Sequence, residues 1–132
     1  MKLNLLSVIG FLATSTFVGM NNPANAAPSS YQNSCRNISI SGDVLSADCY
    51  RVDHSLNNTS IELRGIENIN GTLRETDFSK SSSYQLTCSN IHIHGNILKA
   101  ICSKRDASLT RTSIALDGIE NINGVLKYTS NP

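Results

Sequence analysis

The chain is poor in the side chains that usually bind nucleic acids. Tryptophan is absent from its 132 residues, and the aromatic residues are four tyrosines and three phenylalanines. Charged residues make up 16% of the sequence, against roughly 25% in an average soluble domain, and the formal net charge is +1. Without a basic excess, general nucleic-acid binding is not expected. The scarcity of aromatic rings argues against stacking platforms for bases or sugars. Abundant serine, threonine and asparagine predict a neutral surface that forms hydrogen bonds.

A long apolar run occurs at the N-terminus and nowhere else in the sequence. Lys2 precedes a largely apolar stretch over residues 5–20, which is short for a membrane span of about 20 residues. The small-x-small sequence Ala-Asn-Ala follows at 24–26. This order predicts a signal peptide over residues 1–26, with a retained membrane anchor as the alternative. We expect a secreted or periplasmic mature chain, 27–132, with no membrane span and a formal charge of zero.

The four cysteines are spaced for disulfides rather than for metal or redox chemistry. Cys35 and Cys49 are 14 positions apart, as are Cys88 and Cys102. Neither spacing fits a zinc knuckle or a redox C-x-x-C motif. In an exported chain four cysteines predict a disulfide framework, for which three pairings are possible from the count alone.

The mature sequence is a tandem duplication with an offset of 53 residues. Residues 31–75 align without gaps to 84–128, with 25 identities in 45 positions. The heptapeptide Gly-Ile-Glu-Asn-Ile-Asn-Gly at 65–71 recurs unbroken at 118–124. We define these two segments as repeat one and repeat two, with a linker over 76–83.

The duplication favours one disulfide pairing and a shared core. Pairing within each repeat keeps the two halves equivalent, which predicts the bridges Cys35–Cys49 and Cys88–Cys102. Each bridge would add roughly 3 kcal/mol of stability in the chain-entropy model. A repeat of this length buries little core alone, so we expect the two repeats to share one.

Within a repeat, apolar residues recur with a period of two. Ile38 and Ile40 alternate with serines up to a turn at 42–43, and Leu45, Ala47 and Cys49 continue the alternation. This pattern predicts a hairpin with one buried face. The segment 61–63 predicts a further short strand, and Asn70-Gly71 predicts a tight hairpin turn. Short helical turns are expected near residues 30–35 and 83–88. The fold class is all-β, built from short strands and hairpins in two pseudo-symmetric tandem repeats.

The repeats, the cysteine spacing, the I-x-L strands and the ending I-x-N-I-N-G-x-L together resemble the cyanovirin-N homology family. The likeness covers residues 31–128. It implies a strand-exchanged fold of two lobes, each containing pieces of both repeats. It also implies a lectin that recognises mannose-rich oligosaccharides or glycoproteins through one site per lobe, without catalysis, metal or cofactor. The family includes monomers and lobe-swapped dimers.

The resemblance implies two sets of site residues. The better-preserved set lies at the end of repeat one and the start of repeat two: Glu67, Asn68, Asn70, Ser82, Ser83, Thr87, Ser103, Lys104 and Arg105. In it, Glu67 would accept hydrogen bonds from sugar hydroxyls, and Arg105 would close over the ring or hold Glu67. The weaker set consists of Ser30, Asn33, Ser34, Tyr50, Val52, Asn121 and Asn123. It departs from the family prototype at Tyr50, Val52 and Asn123, where a carboxylate, a hydroxyl and an aspartate are replaced.

Two groups of residues permit other interpretations. Glu67 and Glu120 could form a glycosidase pair, but they are equivalent positions of the duplication and are expected in opposite lobes. His92 and His94 could bind a metal from one strand face, but their equivalents are serines, which favours a solvated face. Alternatives to a lectin are a structural or adhesion module of the same fold and a secreted enzyme inhibitor.

Overall fold

Ten strands form two three-stranded sheets and two hairpins in the computed structural model, which describes residues 26–131. In chain order the strands are β1 (Cys35–Ser41), β2 (Val44–Tyr50), β3 (Leu56–Glu62), β4 (Ile66–Ile69), β5 (Thr72–Glu75), β6 (Cys88–His94), β7 (Ile97–Ser103), β8 (Leu109–Ala115), β9 (Ile119–Ile122) and β10 (Val125–Tyr128). The 3-10 turns Tyr31–Asn33 and Tyr84–Leu86 precede β1 and β6, where short helical turns were expected. The predicted signal peptide lies outside the described residues, apart from its last residue.

The period-two pattern of the sequence becomes antiparallel pairing. In the sheet β1-β2-β3 and its copy β6-β7-β8 the strands are adjacent in chain order, so β2 and β7 are the central strands. Leu45, Ala47 and Cys49 of β2 are buried, while the residues between them are not. The all-β class and the first hairpin are therefore confirmed. The register of β1 shifts between Arg36 and Ser39, and Asn37 there has a φ of +53°.

The third strand is longer than the sequence pattern predicts. The strand expected at 61–63 is β3, which begins at Leu56, and Leu63 lies just beyond its end. The first half of β3 is largely polar, so the alternation of apolar residues does not indicate a strand there. This half is a strand because it pairs with β2, in a register that begins with Tyr50 opposite Leu56.

The repeats exchange their C-terminal hairpins. The hairpin β4–β5 of repeat one packs on β8 of repeat two, where Leu73 N donates to Thr112 Oγ1 at 3.1 Å. The hairpin β9–β10 packs on β3, where Leu126 N donates to Thr59 Oγ1 at 3.2 Å. We call β1–β3 with β9–β10 lobe one, and β6–β8 with β4–β5 lobe two. The strand exchange expected from the family resemblance is thus present.

One core runs through both lobes. Tyr31 and Tyr84 are fully buried, and each hydroxyl donates to a turn carbonyl of the other repeat, Gly95 and Gly42 respectively. Burial raises the pKa of both tyrosines far above the ordinary range. These paired contacts join the repeats at matching positions, as a shared core requires.

Each disulfide lies within one repeat. Cys35 bridges to Cys49 and Cys88 to Cys102, in each case across neighbouring strands of one sheet. The predicted pairing is therefore present in the structure.

The linker 76–83 packs against the fold. Phe78 stacks edge-on against Tyr128, with ring centroids 4.8 Å apart. An isolated bridge joins Arg64 to Ser81, and Ser82 is buried. Among the described residues, no helix has the length and apolar character needed to cross a membrane.

Candidate functional site

Asn68 is the central residue of the candidate site in lobe two. Its Nδ2 donates to Thr87 Oγ1 at 3.0 Å and to the Ser103 carbonyl at 2.9 Å. Its Oδ1 accepts from Gly71 N at 2.7 Å. The side chain thus joins the β4–β5 turn to the start and end of the β6–β7 hairpin. Since both amide protons and the carbonyl oxygen are engaged, Asn68 shapes the site and has little capacity left for a ligand.

The turn beside Asn68 is held by a second asparagine. Asn70 and Gly71 have φ values of +49° and +91°, as a type I′ turn requires. Asn70 Oδ1 accepts from Arg105 N at 2.9 Å, which fixes the loop after β7 against this turn. A Cβ on Gly71 would lie 2.8 Å from Lys104 Cγ, so the turn and the loop meet where glycine leaves room.

These contacts shape an open surface cavity of about 270 Å³. The lining residues are Asn68, Ile69, Asn70, Thr87, Ser103, Lys104 and Arg105. The volume is near the lower end of the roughly 300–1,000 Å³ of small-molecule sites. Its rim offers amide, hydroxyl, ammonium and guanidinium groups, which suit a ligand rich in hydroxyl oxygens.

The loop that carries Lys104 and Arg105 is locally braced. Asp106 Oδ1 accepts from Ser108 N at 3.0 Å and from Ser108 Oγ at 2.6 Å. These hydrogen bonds hold the pKa of Asp106 below its usual range. The Asp106 carboxylate therefore remains charged and stabilises the loop that carries the two basic side chains.

Two residues expected in this site, Glu67 and Ser82, have other partners. Glu67 Oε2 accepts from Thr76 Oγ1 at 2.6 Å, and no ion pair with Arg105 occurs within residues 26–131. Ser82 is only 3% exposed, donates to the Leu63 carbonyl and accepts from Ile66 N. In the structure, therefore, Arg105 does not hold Glu67, and the Ser82 side chain anchors the linker.

Ser83 also serves the backbone. Its N–H donates to the Ile66 carbonyl at 3.0 Å, and its own carbonyl accepts from Leu86 N. Neither Ser83 nor Glu67 lines the cavity.

Lobe one repeats this design around Asn121. Its Nδ2 donates to Ser34 Oγ and to the Tyr50 carbonyl, both at 2.9 Å, and its Oδ1 accepts from Gly124 N at 2.7 Å. Asn123 Oδ1 accepts from Val52 N at 2.9 Å. The structure thus brings five residues of the weaker set together on the same scaffold.

The two lobes differ in the side chains at the rim. Val52 is 84% exposed and occupies the place of Arg105. Tyr50 is 40% exposed and occupies the place of Ser103. Ser30 and Asn33 are exposed in the loop and 3-10 turn before β1. Lobe one therefore offers fewer charged groups than lobe two.

A brace in lobe one was not predicted. Arg51 Nη2 donates to Asn57 Oδ1 at 2.7 Å, and Asn57 Nδ2 donates to the Gly124 carbonyl at 2.7 Å. The sequence held a signal for it, because Arg51 aligns with Lys104 and both positions are basic. The aliphatic part of Arg51 packs on Gly124 in lobe one, and that of Lys104 packs on Gly71 in lobe two.

The two glutamates and the two histidines show no arrangement for catalysis or metal binding among the described residues. Glu67 and Glu120 are in the hairpins of different lobes, as expected, and each accepts from a neighbouring threonine hydroxyl. His92 and His94 are exposed on β6. Within residues 26–131 no group of three or more metal-binding side chains comes together.

Comparison with known proteins places this geometry in context. The CVNH domain model matches residues 31–127. A microvirin–mannobiose complex is 28% identical, with a TM-score of 0.58, covering 74% of this chain and 96% of that one. The T. borchii protein TbCVNH is 27% identical, with a TM-score of 0.64 and coverages of 75% and 98%. A variant of MoCVNH3 in complex with (N-GlcNAc)4 has a TM-score of 0.65 at 21% identity, covering 79% and 99%, and shows the shared fold alone.

Proposed function

The chain belongs to the cyanovirin-N homology (CVNH) family, and from this membership we propose that it is a non-catalytic lectin that binds mannose-rich oligosaccharides. The observation that carries the proposal is the cavity of about 270 Å³ in lobe two, organised by Asn68 and rimmed by Thr87, Lys104 and Arg105. The mannobiose complex of microvirin supports the choice of sugar, since that protein is 28% identical over most of its length.

The ligand contacts proposed for lobe two follow from which groups remain available. Asn70 Oδ1 accepts from Arg105 N, and the Nδ2 group of Asn70 has no acceptor among the described residues. The Thr87 hydroxyl accepts from Asn68 and keeps its own proton to donate. Lys104 and Arg105 are exposed at the rim. Together they provide donors for the vicinal hydroxyl oxygens of a pyranose, and such a site discriminates against sugars that lack those hydroxyls.

Lobe one is proposed as the weaker site. Its central residue, Asn121, makes the same kinds of hydrogen bond as Asn68 in lobe two, but Val52 stands where lobe two has Arg105. Two sites of unequal strength would still raise affinity for a branched glycan, because the second binding event is intramolecular. We also propose that the chain is exported, on the strength of the predicted signal peptide and the two disulfides.

Calorimetric titration with mannobiose, with lactose as the control sugar, tests this function. We expect mannobiose to bind and lactose not to bind. Exchanging the rim residues between the lobes then ranks the sites. Arg105→Val should weaken the tighter site about tenfold, the effect of about one charge-assisted hydrogen bond, and Val52→Arg should strengthen the weaker one. Absence of mannobiose binding at millimolar sugar would favour the adhesion-module alternative.

A further inference from the structure

The outer faces of the two three-stranded sheets differ at one pair of equivalent positions. In repeat one, Asp48 lies at the centre of the sheet. Its Oδ2 accepts from Asn37 Nδ2 and its Oδ1 from Asn58 Nδ2, both at 2.9 Å. These two hydrogen bonds hold the pKa of Asp48 below its usual range. The carboxylate thus serves as the acceptor for donors from both neighbouring strands.

Repeat two keeps the donors and lacks the carboxylate. Ile101 occupies the place of Asp48, and Arg111 the place of Asn58. Asn90 is equivalent to Asn37 and keeps the same bulge, with a φ of +51° against +53°. Within residues 26–131, neither the Asn90 amide nor the Arg111 guanidinium donates to another residue.

These donors line a cavity of about 370 Å³ on the exposed face of the sheet. Its lining residues are Asn90, His92, Lys99, Ala100, Ile101, Arg111, Thr112 and Ser113. His92 lies opposite Lys99, which lies opposite Ser113, so this row crosses all three strands. The His92 ring is fixed by its Nδ1, 3.0 Å from the Asn90 carbonyl. A lone inorganic ion would leave much of such a cavity empty.

The charge of this face has one sign. Strands β6, β7 and β8 contain Lys99 and Arg111 with two histidines, and neither aspartate nor glutamate. The equivalent strands β1, β2 and β3 carry Arg36 against Asp48 and Glu62. The duplication therefore provides an internal comparison, in which one sheet supplies its own anion and the other presents cationic donors that have no partner within residues 26–131.

We propose that this cavity, the β6–β8 face, binds the sulfate or carboxylate group of an acidic saccharide, which would accept the hydrogen bonds that the Asp48 carboxylate accepts in repeat one. Arg111 and Asn90 donate to the anion from the two outer strands, and Lys99 adds a second positive charge. Ile101 provides an apolar surface for the sugar ring, and Ser113 offers a hydroxyl. The proposal is independent of neutral-sugar binding at the lobe sites, which mannobiose titration measures separately.

The first experiment is an NMR titration of the ¹⁵N-labelled protein with N-acetylglucosamine 6-sulfate and galacturonic acid. Unmodified N-acetylglucosamine and sodium sulfate are the controls. We expect at least one acidic sugar to shift the amide signals of Asn90, Ile101 and Arg111. The sulfated sugar distinguishes a sulfate from a carboxylate ligand. Equal affinity for sodium sulfate would overturn the saccharide part of the proposal, and no shift with any anion would overturn all of it.

Variants that exchange the repeats make the test specific. Ile101→Asp supplies an internal carboxylate, as in repeat one, and should weaken the acidic sugar at least tenfold, about the effect of one charge-assisted hydrogen bond. The double variant Asp48→Ile/Asn58→Arg should create a second site, even if Ile101→Asp fails to fold. A charge control is Lys80→Ser/Lys127→Ser, which removes two positive charges elsewhere and should leave binding within about twofold. Equal losses in this control and in Ile101→Asp would indicate non-specific attraction and contradict the proposal.

Discussion

Glu75 should make the protein less stable as the pH rises from about 4.5 to about 7. This residue ends β5 and lines a small cavity of about 70 Å³ between the lobes, together with Asp117 and Tyr128. Its Oε2 is buried and has no hydrogen-bond partner among the described residues. Burial, and next the charge of Asp117, raise the pKa of Glu75 from 4.5 to about 7.

The direction of the effect follows from linkage. Between these two pKa values the unfolded chain loses the Glu75 proton and the folded chain keeps it, so the free energy of unfolding falls as the pH rises. Below about pH 4.5 and above about pH 7 the contribution is flat. A pKa shift of this size corresponds to about 3 kcal/mol in the free energy of unfolding. Because this side chain is partly exposed, solvent screening reduces our expected value to about 1.5 kcal/mol.

Urea unfolding at pH 5 and pH 8 measures this contribution. Glu75→Gln should flatten the pH dependence by about 1.5 kcal/mol and be more stable than the parent at pH 8. Asp117→Asn is the matched variant, because it removes the neighbouring charge and should move the midpoint of the transition to lower pH. The reasoning is refuted if Glu75→Gln retains the parent pH dependence, or if the parent gains stability over this range.

Three further predictions concern the scaffold. Cys35→Ser/Cys49→Ser should lower the free energy of unfolding by about 3 kcal/mol, and a loss below about 1 kcal/mol in urea titrations would contradict the assigned role of the bridge. Gly65→Ala should cost at least about 2 kcal/mol, because its φ is +73° and a Cβ would lie 2.6 Å from a backbone carbonyl. Gly42→Ala, with φ +60° and open space, should cost only about 1 kcal/mol, and equal losses would refute the steric argument. Asn68→Ala should abolish ligand binding in lobe two and speed hydrogen exchange at the adjoining turn, whereas unchanged exchange would argue against its central role.

Much of the fold could be predicted because the governing interactions are local or duplicated. Alternating apolar residues indicated the β1–β2 hairpin, and Asn70-Gly71 indicated the next turn. The disulfides followed from requiring equivalent repeats. The early start of β3 at Leu56 was missed, since that half is polar and is defined by its partner strand rather than by burial.

The site was less predictable because its hydrogen bonds join distant segments. Ser82 was assigned to the ligand, but its partners, Leu63 and Ile66, lie 19 and 16 positions earlier in the chain. Glu67 likewise turns to Thr76 rather than to Arg105. Only the folded arrangement shows which polar side chains are already satisfied and which remain available to a ligand.

Locating bound mannobiose is the most direct test of the central claim. In an NMR titration of the intact mature chain, we expect the largest amide shifts at Asn70, Thr87, Lys104 and Arg105 in lobe two. Smaller shifts, at higher sugar concentration, should follow around Asn123 in lobe one. Saturable binding with shifts confined to other surfaces, or no shift at millimolar mannobiose, would contradict the account.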